Sequence, residues 1–188
     1  AIDALFEPRS IGIIAESLAP GTHGALALQA LASAKSPVPI VLVGPDPPQA
    51  PFPAVSSLAE VEEAPDLALI TLPICNAPPL VSTLAERGTR AVILTRQDNH
   101  DAELRQSLST ARHSGLRLLG PGSLGVQVTR TGLNASLLQG LPEPGGLSVV
   151  THSASMLSAI VDWAQSRRVG LSTTISIGAG LDVGLPNL

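Results

Sequence analysis

Five short aliphatic runs punctuate the first two thirds of the chain: SIGIIA from Ser10, VPIVLVG from Val38, DLALITLP from Asp66, RAVILT from Arg90 and LRLLG from Leu116. Their starts lie 28, 28, 24 and 26 residues apart, close to the roughly 30 residues that one strand–helix–strand unit occupies. Runs without a polar face suit strands covered on both sides. The intervals between them predict helices over Gly24 to Ala34, Ser56 to Glu63, Ala77 to Arg87 and Asp101 to His113. The last has an acidic first turn and a basic last turn, which complement its dipole, and Gly115 follows as a C-cap. Pro45 to Pro53 carries five prolines and reads as a loop. Strands alternating with helices predict an α/β fold with an open parallel sheet, because parallel neighbours need a crossover and the crossover lays a helix on the sheet.

After Gly125 the pattern changes. VQVT from Val126 alternates, Arg130 to Gly132 reads as a turn, and Gln139 to Gly146, QGLPEPGG, has the composition of a linker. A second α/β start follows, with a strand LSVVT from Leu147, a helix from Ala154 to Arg168 and a strand STTISIG from Ser172. Two strands and a helix are too little to fold alone, so this unit either continues past Leu188 or packs on the first.

Composition narrows the chemistry. Hydrophobic residues make up 44% of the 188 residues but aromatic ones only 2%, so the core is aliphatic. A net charge of −4, with Lys35 the single lysine beside ten arginines, provides no basic field for nucleic acid. No apolar run approaches the roughly 20 residues of a membrane span, and AIDALFEPRS lacks the layout of a signal peptide. The lone Cys75 fits a cytoplasmic setting.

In open α/β sheets ligands bind beyond the carboxyl ends of the strands. The first such loop, ESLAPGTHG, opens a helix, and its small residues would let backbone N–H groups meet a phosphate, with His23 a further donor. GPGSLG, at Gly120 to Gly125, matches G-x-G-x-x-G literally but runs into an extended segment instead of the helix that a pyrophosphate requires. It reads as a cleft-wall turn. Asp46 stands near the place of a ribose-binding acid, which keeps a nicotinamide-dependent oxidoreductase domain as an alternative. THSAS, from Thr151, resembles a nucleophile elbow, but no histidine follows His152 to complete a hydrolase triad, so Ser153 reads as a helix cap. The chain has no P-loop motif, and one cysteine with no paired histidines gives no metal site.

LFEPRSIGIIAES, DLALITLP, RLLGPGSLG, TGLNAS and VDWAQSRRVG occur in an order and spacing that resemble the NDP-forming acyl-CoA synthetases, relatives of the succinyl-CoA synthetase α subunit. The resemblance implies a Rossmann-like coenzyme A (CoA) binding domain over residues 1 to 138, a linker over 139 to 146, and the opening of a flavodoxin-like ligase domain over 147 to 188. It implies a CoA or acyl-CoA site lined by Ser17, Pro20, Gly21, His23 and Gly24, by Leu72 and Pro73, and by Pro121, Gly122 and Ser123. The implied partners are a CoA thioester and an ATP-grasp domain or subunit, with homo-oligomerisation left open. The family's phosphohistidine would lie beyond Leu188, so the chain alone is not expected to run the ligase reaction. VDWAQSRRVG and TGLNAS also resemble the synthetase-like half of bacterial protein lysine acetyltransferases, which implies a second reading: an acyl-CoA sensor fused to an acetyltransferase domain. The chain departs from the family pattern where Gly122 replaces an Asn, where no basic residue follows the second strand, and where Thr151 to Ala154 replaces S-Q-S-G.

Overall fold

The computed structural model describes residues 2–34, 38–44 and 51–188. Its first sheet contains β1 (Ile11–Ile14), β2 (Ile40–Val43), β3 (Ala54–Val55), β4 (Leu67–Ile70), β5 (Ala91–Leu94) and β6 (Arg117–Leu119). All neighbours run parallel, in the order β3-β2-β1-β4-β5-β6. This is the doubly wound order, with its reversal point between β1 and β4. The crossovers are α1 (His23–Ser33), α2 (Ala77–Glu86) and α3 (Asp101–Ser114). Gly115 closes α3 in the left-handed region, at φ 75°, where glycine has no side chain to clash.

The strands are buried on both faces, as their unbroken aliphatic runs require. Ile13, Leu42, Leu69 and Ile93 pack with Ala27 and Leu31 of α1 on one side, while Ile14, Ile70, Val92 and Leu118 pack with Val81 and Leu84 of α2 and Leu108 of α3 on the other. The amino-terminal edge is pinned by charge. Asp66, just before β4, takes both a 2.5 Å bond from Arg90 Nε and a 2.5 Å bond from Arg90 Nη2, and accepts the Arg9 amide at 2.9 Å. These bonds hold its carboxyl down at about 2, against the opposing effect of burial.

A second sheet, in the order β8-β7-β10-β9, is built from β7 (Gly125–Val128), β8 (Leu133–Ser136), β9 (Pro144–Thr151) and β10 (Leu171–Ser176). The helix α4 (Ala154–Arg167) connects β9 to the parallel β10, and β10 pairs antiparallel with β7. The second α/β unit is therefore completed by the hairpin β7–β8, and the core residues Val126, Ala135 and Ile175 join the cluster that covers the first sheet.

Two expectations change. The helix expected over Ser56 to Glu63 is a single 3₁₀ turn, Leu58–Glu60, because only Leu58 and Val61 find buried places in this short connection. The segment Gln139 to Gly146 is not wholly a connector, since β9 begins at Pro144. TGLNAS, for which the pattern predicts no element, contributes β8. The loop expected over Pro45 to Pro53 falls mostly outside the described residues, as does Asp46. Among the described residues no helix is long and apolar enough to cross a membrane, and no group of His, Cys, Asp and Glu is placed to hold a metal ion.

Candidate functional site

The carboxyl ends of β1, β4 and β5 share one edge of the first sheet, and their loops are tied together. Thr71, after β4, donates from its amide to Ile14 O at 3.0 Å and from its hydroxyl to the same atom at 3.2 Å. Asp98, after β5, accepts the Ile74 amide with both carboxylate oxygens, at 3.1 and 3.3 Å. This bond fixes Leu72 and Pro73 between the loops that follow β1 and β5. Arg96 lies in that third loop and places a cation at the same edge.

The loop after β1 folds as a helix entrance. The Thr22 hydroxyl caps α1 by accepting the Ala25 amide at 3.3 Å, and donates to Ala19 O at 2.8 Å. Ser17 accepts the Ala19 amide at 3.2 Å. An added Cβ on Gly24 would lie 2.4 Å from Ser17 O and 2.7 Å from the Ala15 methyl, so only glycine lets the loop close onto the helix. Gly21, at φ 84°, has open space around it. The amides of His23 and Gly24 have no hydrogen-bond partner among the described residues. A pair of amides without partners at a helix amino terminus is suited to an anion.

GPGSLG has the opposite character. An added Cβ would meet Leu94 O at 2.4 Å from Gly120, Gln97 Oε1 at 2.6 Å from Gly122 and Ala135 O at 2.2 Å from Gly125, and all three glycines have positive φ. Ser123 is fully buried; its hydroxyl donates to Ser176 O and accepts the Gly125 amide at 2.9 Å. The Pro121 carbonyl accepts the Ala179 amide at 2.9 Å. The turn is an interlock between the two sheets, and β7 follows it where a dinucleotide fingerprint needs a helix. Of the residues expected at the site, Ser17, Pro20, Gly21, His23 and Gly24 gather at one loop with Leu72 and Pro73 on the adjoining strand end; Pro121 and Gly122 reach the same edge through Arg96 and Gln97; Ser123 is committed inward.

His23 is half-buried, and its Nδ1 lies 2.9 Å from Thr95 Oγ1. Burial, reinforced by the charge of Arg96, lowers its pKa below the ordinary value, so the ring is neutral at pH 7. Thr95, Arg96 and Asp98 were not singled out in the sequence. Their signal was position alone: Thr95 ends the fourth aliphatic run, and Arg96 and Asp98 follow it.

Elsewhere, Ser153 caps α4 by accepting the Met156 amide at 3.2 Å, as expected. A hollow of about 720 Å³ lies on the second sheet near Phe6, Val150 and Leu188 and contains none of the strand-end residues.

A doubly wound parallel sheet with a glycine-sharpened helix entrance at its reversal point defines a nucleotide-binding domain of the α/β class. Residues 9–129 match the family described as the CoA binding domain, and the chain belongs to it. Residues 144–188 match the succinyl-CoA ligase like flavodoxin domain. The α subunit of acetate–CoA ligase [ADP-forming] I from Pyrococcus furiosus is 26% identical over 97% of this chain and 42% of its own length. Acetate–CoA ligase [ADP-forming] from Methanocaldococcus jannaschii is 32% identical over 68% of this chain and 19% of its own length. Among solved structures, the dinucleotide-forming acetyl-coenzyme A synthetase 1 of Ca. Korarchaeum cryptofilum, in complex with phosphate and ADP, superposes with a TM-score of 0.92 at 18% identity, covering all of this chain and 41% of that one, which establishes the shared fold. The chain thus spans less than half the length of these relatives.

Proposed function

We propose that the chain is the CoA-handling module of an ADP-forming acid–CoA ligase: it binds CoA or an acyl-CoA across the carboxyl edge of the first sheet and leaves phosphoryl transfer to a phosphohistidine and an ATP-grasp partner outside these residues. The observation that carries this reading is the helix entrance at the reversal point, Ser17 to Gly24, in a chain whose residues 9–129 match a CoA binding domain and whose residues 144–188 match a succinyl-CoA ligase like domain. The unpartnered amides of His23 and Gly24 receive a phosphate of CoA, and Gly21 leaves room for its approach. Arg96 supplies positive charge at this edge, in place of the basic residue missing after β2. Leu72, Pro73, Pro121 and Gly122 form the walls, while Ser123 holds the wall in place from behind. Both ligases named above favour this role over an oxidoreductase domain or an acetyltransferase-linked sensor.

Titration calorimetry with CoA, acetyl-CoA and NADH tests the proposal. Binding of CoA and acetyl-CoA without NADH is expected; binding of NADH without CoA at millimolar ligand overturns it.

A further inference from the structure

His23 is the first residue of α1, so its own amide is one of the two that lack a partner. Within Ser17 to Gly24 its side chain is the single one that can change its charge. An anion held by these amides therefore meets a ring whose protonation state matters.

The ring is tied on one side. The Thr95 hydroxyl lies 3.4 Å from Ile70 O as well as 2.9 Å from His23 Nδ1. One arrangement makes both contacts hydrogen bonds: Thr95 donates to the carbonyl and accepts from Nδ1–H. In the neutral ring Nε2 is then a bare lone pair, which repels a phosphate oxygen. A neutral ring presents Nε2–H only if Nδ1 accepts from Thr95 instead, which gives up the hydroxyl's contact with Ile70 O. Protonation gives Nε2–H without that loss.

The charges around the ring set the balance. Arg96, next to Thr95 in the chain, joins burial in keeping the free ring neutral. Asp98, two residues further on, is engaged with the Ile74 amide. Asp162 faces the same cleft from α4, and Glu16 stands before the loop; both are exposed, so solvent screens them. A phosphate on the His23 and Gly24 amides reverses the balance. Its charge offsets that of Arg96, and its oxygen offers Nε2–H an acceptor.

We propose that His23 is a proton-coupled ligand of CoA: the ring is neutral in the free chain and takes up a proton when a CoA phosphate arrives. The inference rests on the CoA-binding reading above and adds how that site responds to pH. Because the bound state holds the extra proton, affinity rises on acidification and falls as pH rises.

Calorimetry with CoA on the full chain, from about pH 5.5 to about pH 8.5 and in two buffers of different ionisation heat, tests it beside His23→Asn. The Asn amide keeps a donor for Thr95 and cannot take a charge. CoA's own phosphates titrate alike in both experiments, so the ratio of the two affinities isolates the ring. Wild type is expected to bind CoA roughly threefold to tenfold more tightly than the variant at the acid end, with greater proton uptake, and to match it at the alkaline end. A ratio that is constant with pH, or proton uptake no greater than the variant's, overturns the inference and leaves the CoA reading intact; this is the result expected if the ring exchanges tautomers. Should the variant not fold, NMR titration of the His23 ring with and without CoA decides. Its pKa must rise on binding, and an unchanged value overturns the inference. A wild-type chain that binds neither CoA nor acetyl-CoA at any of these pH values removes both.

Discussion

Two glycine-bearing turns stand at the same edge of one sheet and do opposite work. GPGSLG carries the literal dinucleotide spacing, yet each of its three glycines is pressed against Leu94, Gln97 or Ala135, and its serine is buried. Ser17 to Gly24 lacks the tight G-x-G, yet it opens a helix, leaves amides uncapped and surrounds Gly21 with space. All three glycines of the first turn serve backbone packing; in the second, Gly24 does the same while Gly21 stands in open space. What distinguishes them is the element that follows, a strand after Gly125 and a helix after Thr22.

Breaking the closed turn is expected to have the largest effect. Gly125→Ala sets a methyl 2.2 Å from Ala135 O and 2.7 Å from Ser136 Cα, at φ 99°; a loss of about 3 kcal/mol in urea unfolding is expected. A loss below about 1 kcal/mol would show that the hairpin adjusts and that the interlock is weaker than described.

A second closed region, the charged amino-terminal edge, sharpens the contrast through pH. Asp66 sits well below its ordinary value at about 2 in the folded chain, so its contribution is fully present above pH 4 and is lost as pH falls through 2. Asp66→Asn is expected to lower stability by about 2 kcal/mol at pH 7. That deficit should shrink toward zero at pH 2, and a deficit independent of pH would assign the loss to packing instead of charge.

At the open turn the same kind of substitution should spare the fold. Gly21→Glu meets no neighbouring atom and carries only the roughly 1 kcal/mol cost of a left-handed non-glycine residue. Its carboxylate stands where a phosphate approaches, so CoA affinity should fall by about tenfold. Full affinity with an intact fold would remove this loop from the site.

The first sheet was legible in the sequence because burial on both faces leaves only aliphatic residues in its strands; all five runs became strands, and the helices at Ala77 and Asp101 followed with boundaries within a residue. The second sheet was harder to read for a physical reason. One of its faces buries polar groups: Gln127 donates to Asn134 Oδ1 at 3.2 Å and accepts from Thr174 at 3.1 Å, and Asn134 donates to Leu138 O at 3.0 Å. Each of these groups is satisfied inside the fold, and the polar residues of LNAS leave no aliphatic run to mark a strand. The start of β9 was hidden too. Pro144 is tolerated on an edge strand, and Gly145 is needed because its Cβ would lie 2.2 Å from the Gly170 backbone. At the site, the helix entrance was visible as small residues after the first run, whereas Thr95 and Asp98 act through contacts across loops that no local pattern announces.

The central claim, that CoA phosphate meets the open turn while Ser123 to Gly125 of the literal glycine motif brace the fold, is tested most directly by amide hydrogen exchange with and without saturating CoA. Slowed exchange at residues 17 to 24 and 71 to 74, with residues 125 to 136 unchanged, is the predicted result. Protection confined to residues 120 to 136, or no protection at residues 17 to 24, would contradict it.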